Sequence, residues 1–184
     1  HQVLCANVAM NGLANVAALW AAAGAEPGAL TVPQLDYAAR GNFGGISLGD
    51  AGPGSAGESV PVMTVDGLRL RACRLIKIDV EGMEIDVLRG AADTIARLRP
   101  RLYTENDRRE KSAALIGHVL GLGYRCYWHL PPLFNPDNFR NRPRDVFGRI
   151  VSVNMLCLPA GDPLDVSGLR PVAGPDDDWR QPPV

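Results

Sequence analysis

The 184 residues are enough for one domain with a substantial core, and 46% apolar with 21% charged residues is the composition of an ordinary globular protein. A formal net charge of −1 gives no support to a nucleic-acid-binding surface, and no apolar run is long enough to span a bilayer. Cys5, Cys73, Cys126 and Cys157 are widely spaced and form no Cys-x-x-Cys pair. That argues against a zinc cluster and fits buried, reduced thiols in a cytoplasmic protein.

The chain starts at His1 in what reads as the middle of a helix. Leu4 and Val8 lie one turn apart and Gly12 occupies a C′ position, but no capping residue stands upstream. This pattern predicts a fragment whose amino-terminal part is missing. The small and apolar run 16–23, carrying Trp20, reads as a buried strand, and 24–28 as a turn. Residues 30–32 return as a short extended piece before Pro33. From 35 to 59 the chain is rich in Gly, Ala and Ser and reads as one long loop, a length that is usually functional or disordered. Within it, Asn42, Phe43 and Ser47 surround two glycines that permit close backbone approach to a ligand. Residues 62–65 are extended, and Asp66-Gly67 signals a turn.

Residues 74–84 organise the rest of the chain. The apolar run 75–78 reads as a strand that ends in Asp79, Glu81 and Glu84, and then gives way to helical periodicity. Ile85, Leu88, Ala92, Ile95 and Leu98 share one face of this single predicted helix, which Arg97 and Arg99 complete and Pro100 stops. Residues 102–104 form the next strand, ending in Glu105, Asn106 and Asp107. Strand, helix and strand within about thirty residues make a βαβ unit with parallel strands. Beyond it come a helix over 112–122 and a strand over 124–129. A proline-punctuated loop over 131–139 leads to a last strand over 150–158. The Pro-, Gly- and Asp-rich stretch 160–184 reads as a poorly ordered tail.

Ligands of open parallel sheets bind beyond the carboxyl ends of the strands, so Asp79 and Glu105 should face one crevice. The alternative roles are structural. Asp79 would cap the following helix, Glu81 and Glu84 would be first-turn charges, and Glu105 with Asn106 would cap the helix after them. As a site, Asp79, Glu105 and Asn106 suit either of two chemistries. One is a general base that takes a proton from a substrate hydroxyl. The other is an oxygen-ligand site for Mg²⁺. His129, beside Trp128 and the Pro-Pro turn, is a candidate lining residue of the same crevice.

The segment Leu75-Ile76-Lys77-Ile78-Asp79-Val80-Glu81-Gly82-Met83-Glu84, with Val87-Leu88-Arg89-Gly90-Ala91, Arg99-Pro100 and Glu105, resembles the FkbM-type methyltransferases. The likeness extends to Leu4-Cys5-Ala6-Asn7-Val8 with Asn11-Gly12, to 41–45, to 132–139 and to 152–156. It covers nearly all of the chain up to Pro159, so residues 1–159 are expected to be a partial methyltransferase domain. The resemblance implies S-adenosylmethionine-dependent O-methyl transfer to a hydroxyl of a small molecule, glycan or lipid. It implies an α/β, Rossmann-like class I methyltransferase sheet of seven strands, mostly parallel with one reversed. The run 16–23 would be its third strand. The first two strands, with the glycine-rich cofactor turn, would precede His1.

The same resemblance implies site roles. Asp79 would border the methyl-donor and substrate pocket as base or orienter, with Glu105 second. Ala23, Gly24, Asp79 and Glu81 would lie at the cofactor. Asn42, Phe43, Ser47, Asn106, His129, Asn135 and Asn138 would face the substrate. A metal, if used, would sit on Asp79, Glu105 and Asn106. Two other readings stand beside this one: a metal-dependent phosphohydrolase on a similar sheet, and a non-catalytic or inactive truncated domain.

Overall fold

The computed structural model describes residues 1–36, 38–40, 45 and 56–181. Gln2–Met10 forms helix α1, and Gly12 just beyond it adopts φ +62. That left-handed conformation costs glycine nothing, which is why the helix stops there. None of the residues of α1 is buried. Three strands follow: Ala22–Ala23 (β1), Gly28–Pro33 (β2) and Gly57–Met63 (β3). They form a separate small sheet in the order β1-β3-β2, with β1 parallel and β2 antiparallel to β3. The strand expected over 16–23 is therefore reduced to its last two residues, and it belongs to this small sheet. Val16, Leu19 and Trp20 stay about half exposed. The alanines that separate them have weak strand preference and little surface to bury.

The main sheet is built from Leu75–Ile78 (β4), Arg101–Glu105 (β5), Tyr124–His129 (β6), Asn154–Pro159 (β7) and Arg170–Pro171 (β8). Its order is β4-β5-β7-β6-β8. The predicted βαβ unit is present: β4 and β5 are parallel, with Ile78 opposite Thr104. Every other pairing is antiparallel. The sheet is thus mixed and five-stranded among the described residues, where a seven-stranded, mostly parallel one was expected. The strand predicted over 150–158 begins at Asn154, and Val151 makes only an isolated bridge to Pro132.

The crossover is two helices, Glu84–Arg89 (α2) and Ala92–Leu98 (α3), where periodicity alone predicts one. Gly90 explains the break. A Cβ at that position would sit 2.0 Å from the carbonyl oxygen of Gly24, so only glycine lets the small sheet approach the helix pair this closely. The new helix start is capped from a distance: the Asp66 carboxylate accepts the backbone N–H groups of Asp93 and Thr94 at 3.0 and 2.8 Å. Arg99 closes α3 at φ +48, and its guanidinium donates to the carbonyls of Leu122 and Gly123 behind Arg109–Gly121 (α4).

The helices cover one face of the main sheet. Ile78, Leu102, Cys126, Met155 and Cys157 meet Val87, Leu88, Ile95, Ile116 and Val119 in a single core. On the opposite face Lys77, Tyr103, Tyr127 and Leu156 remain half-buried or exposed. Residues 160–181, in a stretch expected to be poorly ordered, pack against this fold. Asp162 makes a two-pronged pair with Arg101, and β8 adds to the edge of β6. Asp177 then accepts from Arg170, Trp128 Nε1 and Ala173 N, while Val172 is buried in the core and Trp179 packs against it. Its polar composition masked these two acid–base pairings and two apolar anchors.

Candidate functional site

β4 and β5 run side by side in the same direction, so their carboxyl ends deliver Asp79 and Glu105 to one place. Asp79, Glu81 and Glu105 bring carboxylate oxygens within 4.8 Å of one another. Two of the three have cationic partners. Lys77, two residues before Asp79 and hence on the same face of the strand, donates to Asp79 at 2.5 Å. Arg108 donates to Glu81 at 2.7 Å. Glu105 has neither, and its Oε2 is buried with no hydrogen-bond partner among the described residues.

The consequence is electrostatic. Burial, followed by the charges of Asp107, Asp79 and Glu81, pushes the Glu105 carboxyl up to about 7. Those neighbouring negative charges hold the proton there against the usual carboxylate preference. A carboxyl that is half-protonated near neutral pH is well matched to proton transfer. A cavity of about 440 Å³ opens at this point, lined by Glu81, Glu105, Arg108, Ile150, Ser152 and Gly45. Gly45 belongs to the predicted ligand loop. Its neighbours Asn42, Phe43 and Ser47 lie outside the described residues.

The turn between β4 and α2 differs from its expected form. Asp79 caps no helix, because α2 begins at Glu84 with Met83 at its N-cap. Glu81 stands in the preceding turn at φ +52, a left-handed conformation that non-glycine residues adopt at a cost of about 1–3 kcal/mol. Gly82 follows at φ +96, and Lys111 Nζ donates to its carbonyl at 2.9 Å. Glu84 is no solvated first-turn charge. It is 5% exposed and accepts the Gly82 N–H at 2.8 Å, which tightens the turn that aims Glu81 at the cavity.

Other candidate residues are placed elsewhere. Asn106 follows Glu105, so its side chain leaves the opposite face of the strand, where it is buried and donates to Met155 Sδ. It therefore belongs to no ligand set with Asp79 and Glu105, and Glu81 takes its place in the cluster. His129 Nδ1 is 2.7 Å from the Tyr103 hydroxyl, on the open sheet face, and does not line the cavity. Asn135 and Asn138 hold their own loop: Asn135 Oδ1 accepts from Asp137 N, and Asn138 bridges Asn135 and Arg142. Gly24 is buried, and a Cβ there would meet Val62 at 2.8 Å; neither it nor Ala23 lines the cavity at Glu105. Sequence reasoning misses Arg108 as a site residue. Its position three residues past a strand-end acid is the available signal, since residues just beyond strand ends face the same crevice.

The acid cluster lies at the carboxyl ends of a parallel strand pair, the place where open α/β sheets bind ligands. The methyltransferase FkbM domain model matches residues 2–126, more than half of the 184 residues, and the chain belongs to that family. The matched span contains Lys77, Asp79, Glu81, Glu105 and Arg108, and ends within β6. Comparisons with curated proteins and with solved structures gave no match. Methyl transfer is the activity that membership indicates. No helix among the described residues is long and apolar enough to cross a membrane.

Proposed function

We propose that this protein transfers a methyl group from S-adenosylmethionine to a substrate hydroxyl, with Glu105 as the proton acceptor and Asp79 as its orienting partner. The observation that carries this reading is the buried, unpartnered Oε2 of Glu105 in a cavity at the ends of two parallel strands. The reversed β7 between β5 and β6 supports reading the sheet as the Rossmann-like methyltransferase type.

The residues present fit the methyl donor at its reactive end. A sulfonium is a cation, and a carboxylate cluster with one unpaired buried oxygen favours positive charge beside it. When bound, the donor supplies an electrophilic methyl group; Asp79 and Glu81 would face its positive end. Glu105 takes the acceptor's proton on Oε2. Lys77 fixes Asp79, and Arg108 fixes Glu81, so that the acids keep their places as charge shifts. Because Lys77 and Arg108 already neutralise two of the three acids, the cluster has little need of a divalent ion, and activity should survive chelation.

Labelled methyl transfer, assayed on the polypeptide encoded by the gene across glycan, lipid and polyketide hydroxyls, tests the proposal. kcat/KM should rise with pH through about 7, because Glu105 must be ionised to accept the proton. Glu105→Gln should lower it by about 10²–10⁴, with S-adenosylhomocysteine binding retained by calorimetry. Unchanged turnover in Glu105→Gln, or loss of activity on adding EDTA, would overturn the assignment.

A further inference from the structure

The hairpin-like excursion from Leu133 to Ile150 lies outside the span matched by the family model, and its base is closed firmly. Ser152 N donates to Pro131 O, and Leu133 N donates to Ile150 O, both at 2.9 Å. Its arms are also built. Asn138 ties Asn135 to Arg142, while the Asp145 carboxylate accepts the N–H groups of Phe147 and Gly148. A loop held by this many internal bonds would be expected to tuck its apolar side chains inward. It does the reverse. Phe139 is 100% exposed, Val146 73%, and Ile150 56%.

Arginines alternate with these apolar groups. The loop from Leu133 to Ile150 holds Arg140, Arg142, Arg144 and Arg149 against Asp137 and Asp145, a net of +2 in a chain whose net charge is −1. None of the four guanidinium groups forms an ion pair or a hydrogen bond among the described residues. Exposed apolar groups flanked by unpaired cations mark an interaction surface. Arg heads can meet anionic phosphates while Phe and Val enter the acyl boundary.

We propose that this loop docks the protein on an anionic lipid surface. A planar membrane touches only the exposed loop, whereas a polyanion long enough to bind tightly would run onto a body that carries the remaining −3. Leu133 and Ile150 line the cavity at Glu105 as well as flanking the loop, so docking turns the mouth of that cavity towards the headgroups. The proposal does not depend on methyl transfer, and its readout is binding alone.

Co-sedimentation of the full chain with phosphatidylcholine vesicles, with and without phosphatidylserine, is the test. Binding should require phosphatidylserine and weaken with salt. The triple variant Arg140→Gln/Arg142→Gln/Arg144→Gln should bind on the order of a hundredfold more weakly, about fivefold per arginine. Phe139→Ser should lose about tenfold. Arg69→Gln/Arg71→Gln, which removes two charges elsewhere, should bind as the wild type does, and circular dichroism confirms that each variant is folded. Equal binding to neutral vesicles overturns the proposal. So does binding undiminished in the loop variants, which would assign it to the exposed apolar residues 3–20. Capture by single-stranded RNA without vesicle binding overturns it in favour of a nucleic acid.

Discussion

Replacing Glu105 with Gln should make the protein more stable at alkaline pH while removing its function. The carboxyl ordinarily titrates near 4.5 and is raised to about 7 in the fold, chiefly by burial and then by Asp107, Asp79 and Glu81. Between those values the folded state binds the extra proton and the unfolded state does not. Stability contributed by the protonated form is therefore present below about 4.5 and lost as pH rises through about 7. The full shift corresponds to a ceiling of about 3 kcal/mol. Because Glu105 is only half-buried and opens on a solvated cavity, about 1–2 kcal/mol is the expected size. Gln has the same shape and no charge to strand. Urea unfolding of wild type and Glu105→Gln at intervals from pH 4 to pH 9 yields two curves that coincide near pH 4, separate between about 4.5 and about 7, and keep a constant offset above that, with the variant higher. The low-titrating acids Asp66, Asp162 and Asp177 contribute equally to both and cancel in the difference. Parallel curves across the whole range would refute the raised titration of Glu105, and the acid limb predicted for activity would lose its cause.

Two further substitutions probe how the fold holds the site. Asp66→Ala removes the carboxylate that receives two N–H groups at the start of α3, and should cost about 1–2 kcal/mol in urea unfolding, with Asp66→Asn recovering part of it. A loss no larger than that of an exposed surface substitution would show that the distant cap is dispensable. Asp177→Ala strands Arg170 and frees Trp128 Nε1 and Ala173 N, a loss of about 3–5 kcal/mol. Limited proteolysis should then cut within 160–181, with a change in tryptophan emission; an intact, protease-resistant carboxyl end would contradict the packing described.

Much of the site was legible in the chain because its logic is local. The short apolar runs at 75–78 and 102–104, separated by a helical pattern and stopped by acids, read as parallel strands with acidic ends. Glu84 shows the limit. A glutamate in a first turn is nearly always solvated, and only the backbone reversal at Glu81 and Gly82 turns this one inward to hold its own turn. Asn106 was misplaced for a related reason. Adjacency in sequence suggested a shared ligand set, yet adjacent strand residues leave opposite faces.

What the residues themselves determined is the βαβ unit, the family to which the chain belongs and the delivery of Asp79 and Glu105 to one crevice, since each follows from patterns spanning a few turns or one strand. What only tertiary structure decided is the split of the crossover at Gly90, the recruitment of β8 and Asp177 from an apparently featureless end, and the protonation of Glu105. Each of these rests at least in part on contacts between residues more than 20 positions apart, such as Gly90 with Gly24, Asp177 with Trp128 and Glu105 with Asp79. A carboxyl's affinity for its proton depends on how much water surrounds it and which charges fold in beside it, and no stretch of sequence carries that by itself.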